Sequence, residues 1–196
     1  KIIINYTEDF GPITKILGLK YCNININTND KIIIVDDDWI YSKYLTYFYN
    51  LCYELYNCDG VGIDENNLLS WDENFFSCMK LKQNTNIFYD NYQSFLYGWL
   101  TYSLRYEYLD KLFKFWKNEV KINNDIFYHD DIILTIFCYK EKLNISGINL
   151  IFPKVYKERF KTDNIDALHS VDNVWLIRKQ LETYYLNKYN INYYRD

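Results

Sequence analysis

The chain has 196 residues, a net charge of −4 and a hydrophobic share of 49%, with 24% charged. That is enough chain for one globular domain with a substantial core, residues 1–196 as a single unit. The acidic balance excludes a general nucleic-acid binder, which would need a basic face, and no apolar run approaches the roughly 18 residues of a membrane span. Aromatic residues reach 20%, with 22 Tyr. Asn, Ile and Lys are also frequent, a mix that A- and T-rich codons favour, so the tyrosines are not read as a stacking platform. Cys22, Cys52, Cys58, Cys78 and Cys138 form no CxxC pair and are odd in number, which suits free thiols in a reducing compartment.

In chain order, Lys1 to Asn5 is expected as an opening strand. Gly11-Pro12 makes a turn, and Thr14 to Leu19 a short helix closed by glycine. Lys15 at the start of that helix opposes its dipole, which an anionic ligand would relieve; a plain surface lysine is the competing reading. Lys31 to Val35 is too short for an ordinary helix and is expected as a strand buried on both faces of a parallel sheet. Asp36, Asp37 and Asp38 follow at once. Like charges in a packed core repel and lose hydration, so they belong at the carboxyl edge of the sheet, where open α/β sheets bind ligands. Three carboxylates there suit a hard divalent cation, Mg²⁺ or Mn²⁺; a solvated loop after a strand is the alternative.

Ser42 to Tyr56 shows helical spacing at Leu45, Phe48, Tyr49, Cys52 and Leu55. Asp59 to Ile63 reads as a strand, Asp64 to Asn86 as an irregular excursion, and Ile87 to Tyr89 as a short strand. In Ser94 to Arg105 the pair Gly98-Trp99 interrupts an apolar run. The glycine suggests close approach of backbone or ligand, while Trp99 either covers a sugar ring or fills the core. Glu107 to Asn118 is a helix with Leu109, Leu112, Phe113 and Trp116 on one face. Asp130 and Asp131 open the next helix, where the dipole favours carboxylates and capping accounts for one of them. Gly147 to Phe152 is a last strand stopped at Pro153. A polar tail holds His169, and Val174 to Tyr189 is a closing amphipathic helix.

The segment Asp9-Phe10-Gly11-Pro12-Ile13-Thr14-Lys15, then Ile34-Val35-Asp36-Asp37-Asp38, then Gly98-Trp99, then His129-Asp130-Asp131-Ile132 stand in one order. This set resembles glycosyltransferases of the GT-A type, the nucleotide-diphospho-sugar transferase fold. It is similar to small enzymes of giant viruses and microbes, over about residues 1 to 170. The resemblance implies an α/β fold with a mostly parallel sheet flanked by helices. The chain opens on what looks like the second strand, so the first βα unit is expected upstream or absent.

Residue by residue, the resemblance implies that Asp36 meets the ribose or the metal's water shell and that Asp38 binds the Mn²⁺ or Mg²⁺. Asp37 completes the Asp-x-Asp motif, Asp9 lies near base or ribose, and Lys15 near the phosphates. Gly98 and Trp99 border sugar and acceptor. Asp131 matches the general base of inverting members, with Asp130 beside it raising its pKa by like-charge repulsion. His169 resembles a late metal-closing histidine. The implied function is transfer of a sugar from a nucleotide-diphosphate donor, a UDP-sugar first, to a glycan hydroxyl, with inversion. A non-catalytic nucleotide-sugar or carbohydrate-binding module of the same fold is the alternative. An Asp-nucleophile phosphatase fits worse, because Trp39-Ile40 follow the third Asp and no Thr or Val stands in the fifth place. The free thiols favour the cytoplasm, that of the host for a viral chain, over the Golgi lumen.

Overall fold

The structure is a computed structural model and describes residues 4–37, 39–41, 43–64, 94–95, 101–148, 156–159 and 173–190. The chain is α/β. Its described helices are α1 (Thr14–Leu17), α2 (Leu45–Tyr56), α3 (Leu109–Ile122), α4 (Asp130–Lys140) and α5 (Val174–Lys188). Its strands are β1 (Lys31–Val35), β2 (Trp39–Tyr41), β3 (Gly60–Asp64), β4 (Ser94–Phe95), β5 (Thr101–Arg105), β6 (Ile145–Ile148) and β7 (Tyr156–Arg159).

β3 is the spine of the main sheet. One edge pairs with β5 through Gly60 and Val61 and with β4 through Ile63 and Asp64, both antiparallel. Its other edge pairs with β6, in parallel. β1 lies beyond β5 and is antiparallel to it, Ile34 facing Tyr102 and Ile32 facing Leu104. β1, β3 and β6 therefore run the same way, and their carboxyl ends share one edge. The expected mostly parallel sheet is corrected to a mixed one, because β5 enters between β1 and β3 in the opposite sense. Gly60 makes that junction tight: a Cβ there would meet Ser103 O and Ile145 Cδ1 at 2.9 Å each.

The strand buried on both faces is β5, not β1. Thr101 to Leu104 are all buried, whereas β1 buries Ile32 and Ile34 and leaves Val35 exposed. The hydroxyls of Thr101 and Ser103 are not left to solvent. They turn instead to α2, where Tyr49 Oη bonds Thr101 Oγ1 and Tyr53 Oη bonds Ser103 Oγ, each at 2.9 Å. A buried hydroxyl with a partner loses little. On the other face Tyr102 and Leu104 join the core with Ile32, Ile34 and the apolar side of α4.

Other expectations shift by a few residues. Ile4 and Asn5 lie outside any strand, and Ile4 is exposed; residues 1–3 are outside the described set. α2 buries Leu45, Tyr49 and Tyr53 but exposes Leu55, one of the positions assigned to its packed face. α3 buries Leu109, Leu112, Phe115 and Trp116. β6 covers Ile145–Ile148 and overlaps the start of the strand expected over Gly147 to Phe152, whose remaining residues lie outside the described set. β2 and β7 pair antiparallel, two short strands missed because neither alternates clearly. Ile87 to Tyr89 lies outside the described residues. Cys22, Cys52, Cys58 and Cys138 are free thiols, as expected. No helix of the described residues is long and apolar enough to cross a membrane.

Candidate functional site

The site is assembled by two docked turns. In the first, Gly11 N–H donates to Asp9 Oδ1 at 2.7 Å, and Phe10 N–H donates to Thr14 Oγ1 at 2.8 Å. Gly11 has φ +71° and packs on Phe127; a Cβ on it would sit 2.5 Å from Phe127 O. Phe127 belongs to the 3₁₀ turn Asn124–Tyr128, which leads straight into α4. The Gly-Pro turn and the start of α4 are thus held face to face. Phe10 locks the arrangement from below, its ring 5.2 Å from Trp116 and 5.7 Å from Phe113.

Out of this joint comes Lys15. Its Nζ lies 3.3 Å from Asp36 Oδ1, just past the end of β1, and 3.2 Å from Asp130 Oδ2, in the first turn of α4. Lys15 was expected to oppose a helix dipole. α1 is only four residues long, too short for a sizeable dipole, and the charge is met by two carboxylates instead. Burial pulls the lysine's pKa down, and Asp130 and Asp36 more than reverse this, leaving it above its ordinary 10.5. Asp36 N–H donates to Tyr41 Oη at 3.0 Å, which fixes the turn into β2.

Asp130 and Asp131 take different partners. His129, not an aspartate, is the N-cap of α4, and its side chain makes no capping bond. Asp130 Oδ1 accepts from Asp131 N–H at 3.1 Å, and Asp131 Oδ1 accepts from Ile132 N–H at 2.9 Å. Asp131 Oδ2 then meets Arg178 of α5 at 2.6 Å, and Arg178 Nε meets Glu182 at 3.1 Å. Burial raises the Asp130 pKa, Lys15 opposes this, and Asp131 reinforces it. For Asp131, burial pushes up but Arg178 outweighs it, and the pKa falls below 3.8. The upward shift expected on Asp131 therefore lands on its neighbour. His129 is buried with a lowered pKa.

Of the candidates from sequence, the structure joins Lys15, Asp36 and Asp130, and sets Asp131 one step away on Arg178. Asp9 is exposed, with its carboxylate in the turn, and Asp37 is exposed. Asp38, Gly98, Trp99 and His169 lie outside the described residues. Arg178 was missed; it stands directly after the apolar run Val174 to Ile177 and beside Lys179, with nothing local to set it apart. Tyr102 was missed too. Its hydroxyl is fully buried without a hydrogen-bond partner, and Asp130 and Asp36 both act on it after burial itself.

Among the described residues no group of three or more His, Cys, Asp or Glu is placed to hold a metal. A magnesium-like ion commonly takes one or two carboxylates and completes its shell with water and substrate phosphates; Asp36 and Asp130 are both engaged by Lys15. No protein-family model, curated protein or solved structure matches the chain.

Proposed function

We propose that the chain is a metal-dependent glycosyltransferase domain of GT-A type, moving a sugar from a nucleoside-diphosphate donor, UDP-linked by the resemblance, to a glycan hydroxyl with inversion. The supporting observation is the meeting of Asp36 and Asp130 on Lys15, at the edge where three co-directional strands end. Phosphate chemistry needs a cation and a carboxylate close together, and acceptor activation needs a second carboxylate within reach.

In this reading Lys15 receives the diphosphate, and Asp36 carries the metal or ribose. Mg²⁺ or Mn²⁺ bound with the donor supplies stabilisation of negative charge on the departing diphosphate. Asp130 Oδ2 accepts the proton of the acceptor hydroxyl, as the hydroxyl oxygen bonds to the anomeric carbon and the anomeric carbon's bond to the diphosphate breaks. Asp130 is favoured over Asp131 because its proton affinity is raised, while Arg178 keeps Asp131 a weak base.

The test is thermal shift and product release with a panel of nucleotide sugars, with and without Mn²⁺. Metal-dependent stabilisation by UDP or GDP is expected. Asp130→Asn keeps donor binding and loses transfer by about 100-fold or more, while Asp131→Asn loses less. A panel that neither stabilises the protein nor is turned over would sink the reading. One observation favours the non-catalytic binding module instead: Asp36, Asp130 and Asp131 are all charge-paired. Donor binding with no release of nucleoside diphosphate by the unmodified chain would decide for it.

A further inference from the structure

One buried hydroxyl beside the site has no part in the chemistry so far. Tyr102 is 0% exposed, and its Oη makes no hydrogen bond among the described residues. Phenylalanine would fill the same core position without taking a hydroxyl out of water, so keeping a tyrosine there costs stability. An unsatisfied polar group in a folded core calls for a reason, and a catalytic role is a recurring one. Resting on the glycosyltransferase reading, we propose that Tyr102 is a positioning residue, whose hydroxyl donates to the Asp130 carboxylate once a donor diphosphate engages Lys15.

The topology brings Tyr102 to this place. Side chains alternate along a strand. Thr101 and Ser103 turn to α2, so Tyr102 and Leu104 face the other way, toward α4, whose first turn holds Asp130. Tyr102 stands opposite Ile34, and Leu104 opposite Ile32, so Tyr102 is the nearer of the two to the edge where Asp36 follows β1. Its proton is firmly held. Burial first, then the charges of Asp130 and Asp36, raise its pKa well above 10.0, so the hydroxyl is a lasting donor with both carboxylates close enough to act on it. Asp130 has a use for that donor. Its Oδ1 accepts from Asp131 N–H at 3.1 Å, while its Oδ2 is held by the ion pair with Lys15 at 3.2 Å. Lysine is a good phosphate ligand on a flexible stem. As the ammonium turns to the diphosphate, its hold on Asp130 weakens. A hydrogen bond from Tyr102 then fixes the direction of the carboxylate and favours its ionised form, the form that can take a proton. Tyr102 keeps its own proton throughout; the proton of the acceptor hydroxyl goes to Asp130.

The test is Tyr102→Phe in the full chain. The variant keeps the ring and loses the unpartnered hydroxyl, so it should melt at or above the temperature of the unmodified protein. Its kcat for sugar transfer should fall about tenfold while KM for the donor holds, the pattern of a base that is less well placed. A hydrogen bond to the ionised form lowers a carboxyl pKa. Its loss should therefore move the acidic limb of the kcat profile up by about one pH unit. ¹³C NMR of the Asp130 carboxyl gives the same reading without turnover. With UDP and Mg²⁺ bound, its titration midpoint should lie higher in Tyr102→Phe than in the unmodified chain; without them the two should agree closely. An unchanged kcat and pH profile in the variant, whatever its melting temperature, makes Tyr102 a packing residue and overturns the inference. So does an Asp130 midpoint that is the same in both proteins with UDP and Mg²⁺ bound. Both results leave the glycosyltransferase reading standing, because the unmodified chain still transfers sugar. Absence of nucleotide binding and of transfer in the unmodified chain overturns the two together.

Discussion

At the scale of single residues, Gly11 does work that no side chain could. Its left-handed backbone and its contact with Phe127 bring the turn before Lys15 against the turn before Asp130. Gly11→Ala is expected to cost about 3 kcal/mol, from the strained φ and the clash with a backbone oxygen. Thermal melting should fall by roughly 6–12 °C; a change within error would mean the two turns adjust freely. His129 makes a separate prediction. Burial lowers its pKa, Asp131 and Asp125 oppose that, and Arg178 adds to it. As pH falls, the unfolded chain takes up the proton first. Stability is therefore whole above about pH 6.5 and declines from there toward the folded-state value. His129→Asn, which keeps a capping residue, should flatten the loss of melting temperature between about pH 7 and 5.5. Asp131, with a lowered pKa, acts only below about pH 4. Asp130, with a raised one, acts in the opposite sense and is present in both proteins. An identical slope for the two would count against a buried, neutral His129.

At the scale of elements, α5 is held by a buried charge as much as by its apolar side. Leu181 and Tyr185 enter the core one turn apart. Lys188 Nζ then lies 2.6 Å from Glu119 Oε2, and Tyr189 Oη donates to Glu119 Oε1 at 2.6 Å. Glu119 is buried on α3, in a helix whose other buried positions are apolar. A carboxylate taken from water needs such partners. Glu119→Gln should destabilise by about 2 kcal/mol, less than a fully buried pair because Lys188 is a quarter exposed. Hydrogen exchange should show α5 amides losing protection before those of β5; uniform loss across the chain would argue that α5 is not a separable unit. The consequence reaches the site, because α5 also carries Arg178 to Asp131.

At the scale of the whole molecule, what could be read from the chain depended on how local the cause was. The helices at α2, α3, α4 and α5 followed from apolar spacing, and β1, β3 and β5 from short apolar runs, because those patterns depend on neighbours in sequence. The joining of Asp36 to Lys15 and Asp130 could be guessed only through the ordered motifs, since nothing local says that two turns so far apart will dock. Three features were not legible at all. The antiparallel entry of β5 between β1 and β3 is a matter of topology. The burial of Thr101 and Ser103 depends on tyrosine hydroxyls from α2. The division of labour between Asp130 and Asp131 depends on Arg178, which arrives from the other end of the chain. Sequence alone determined the longer helices, the core strands β1, β3 and β5, and that acidic groups crowd the end of β1, because propensity and periodicity act over a few residues. Only the tertiary structure decided which charges neutralise which, because an ion pair is set by distance through space, and distance through space is what folding creates.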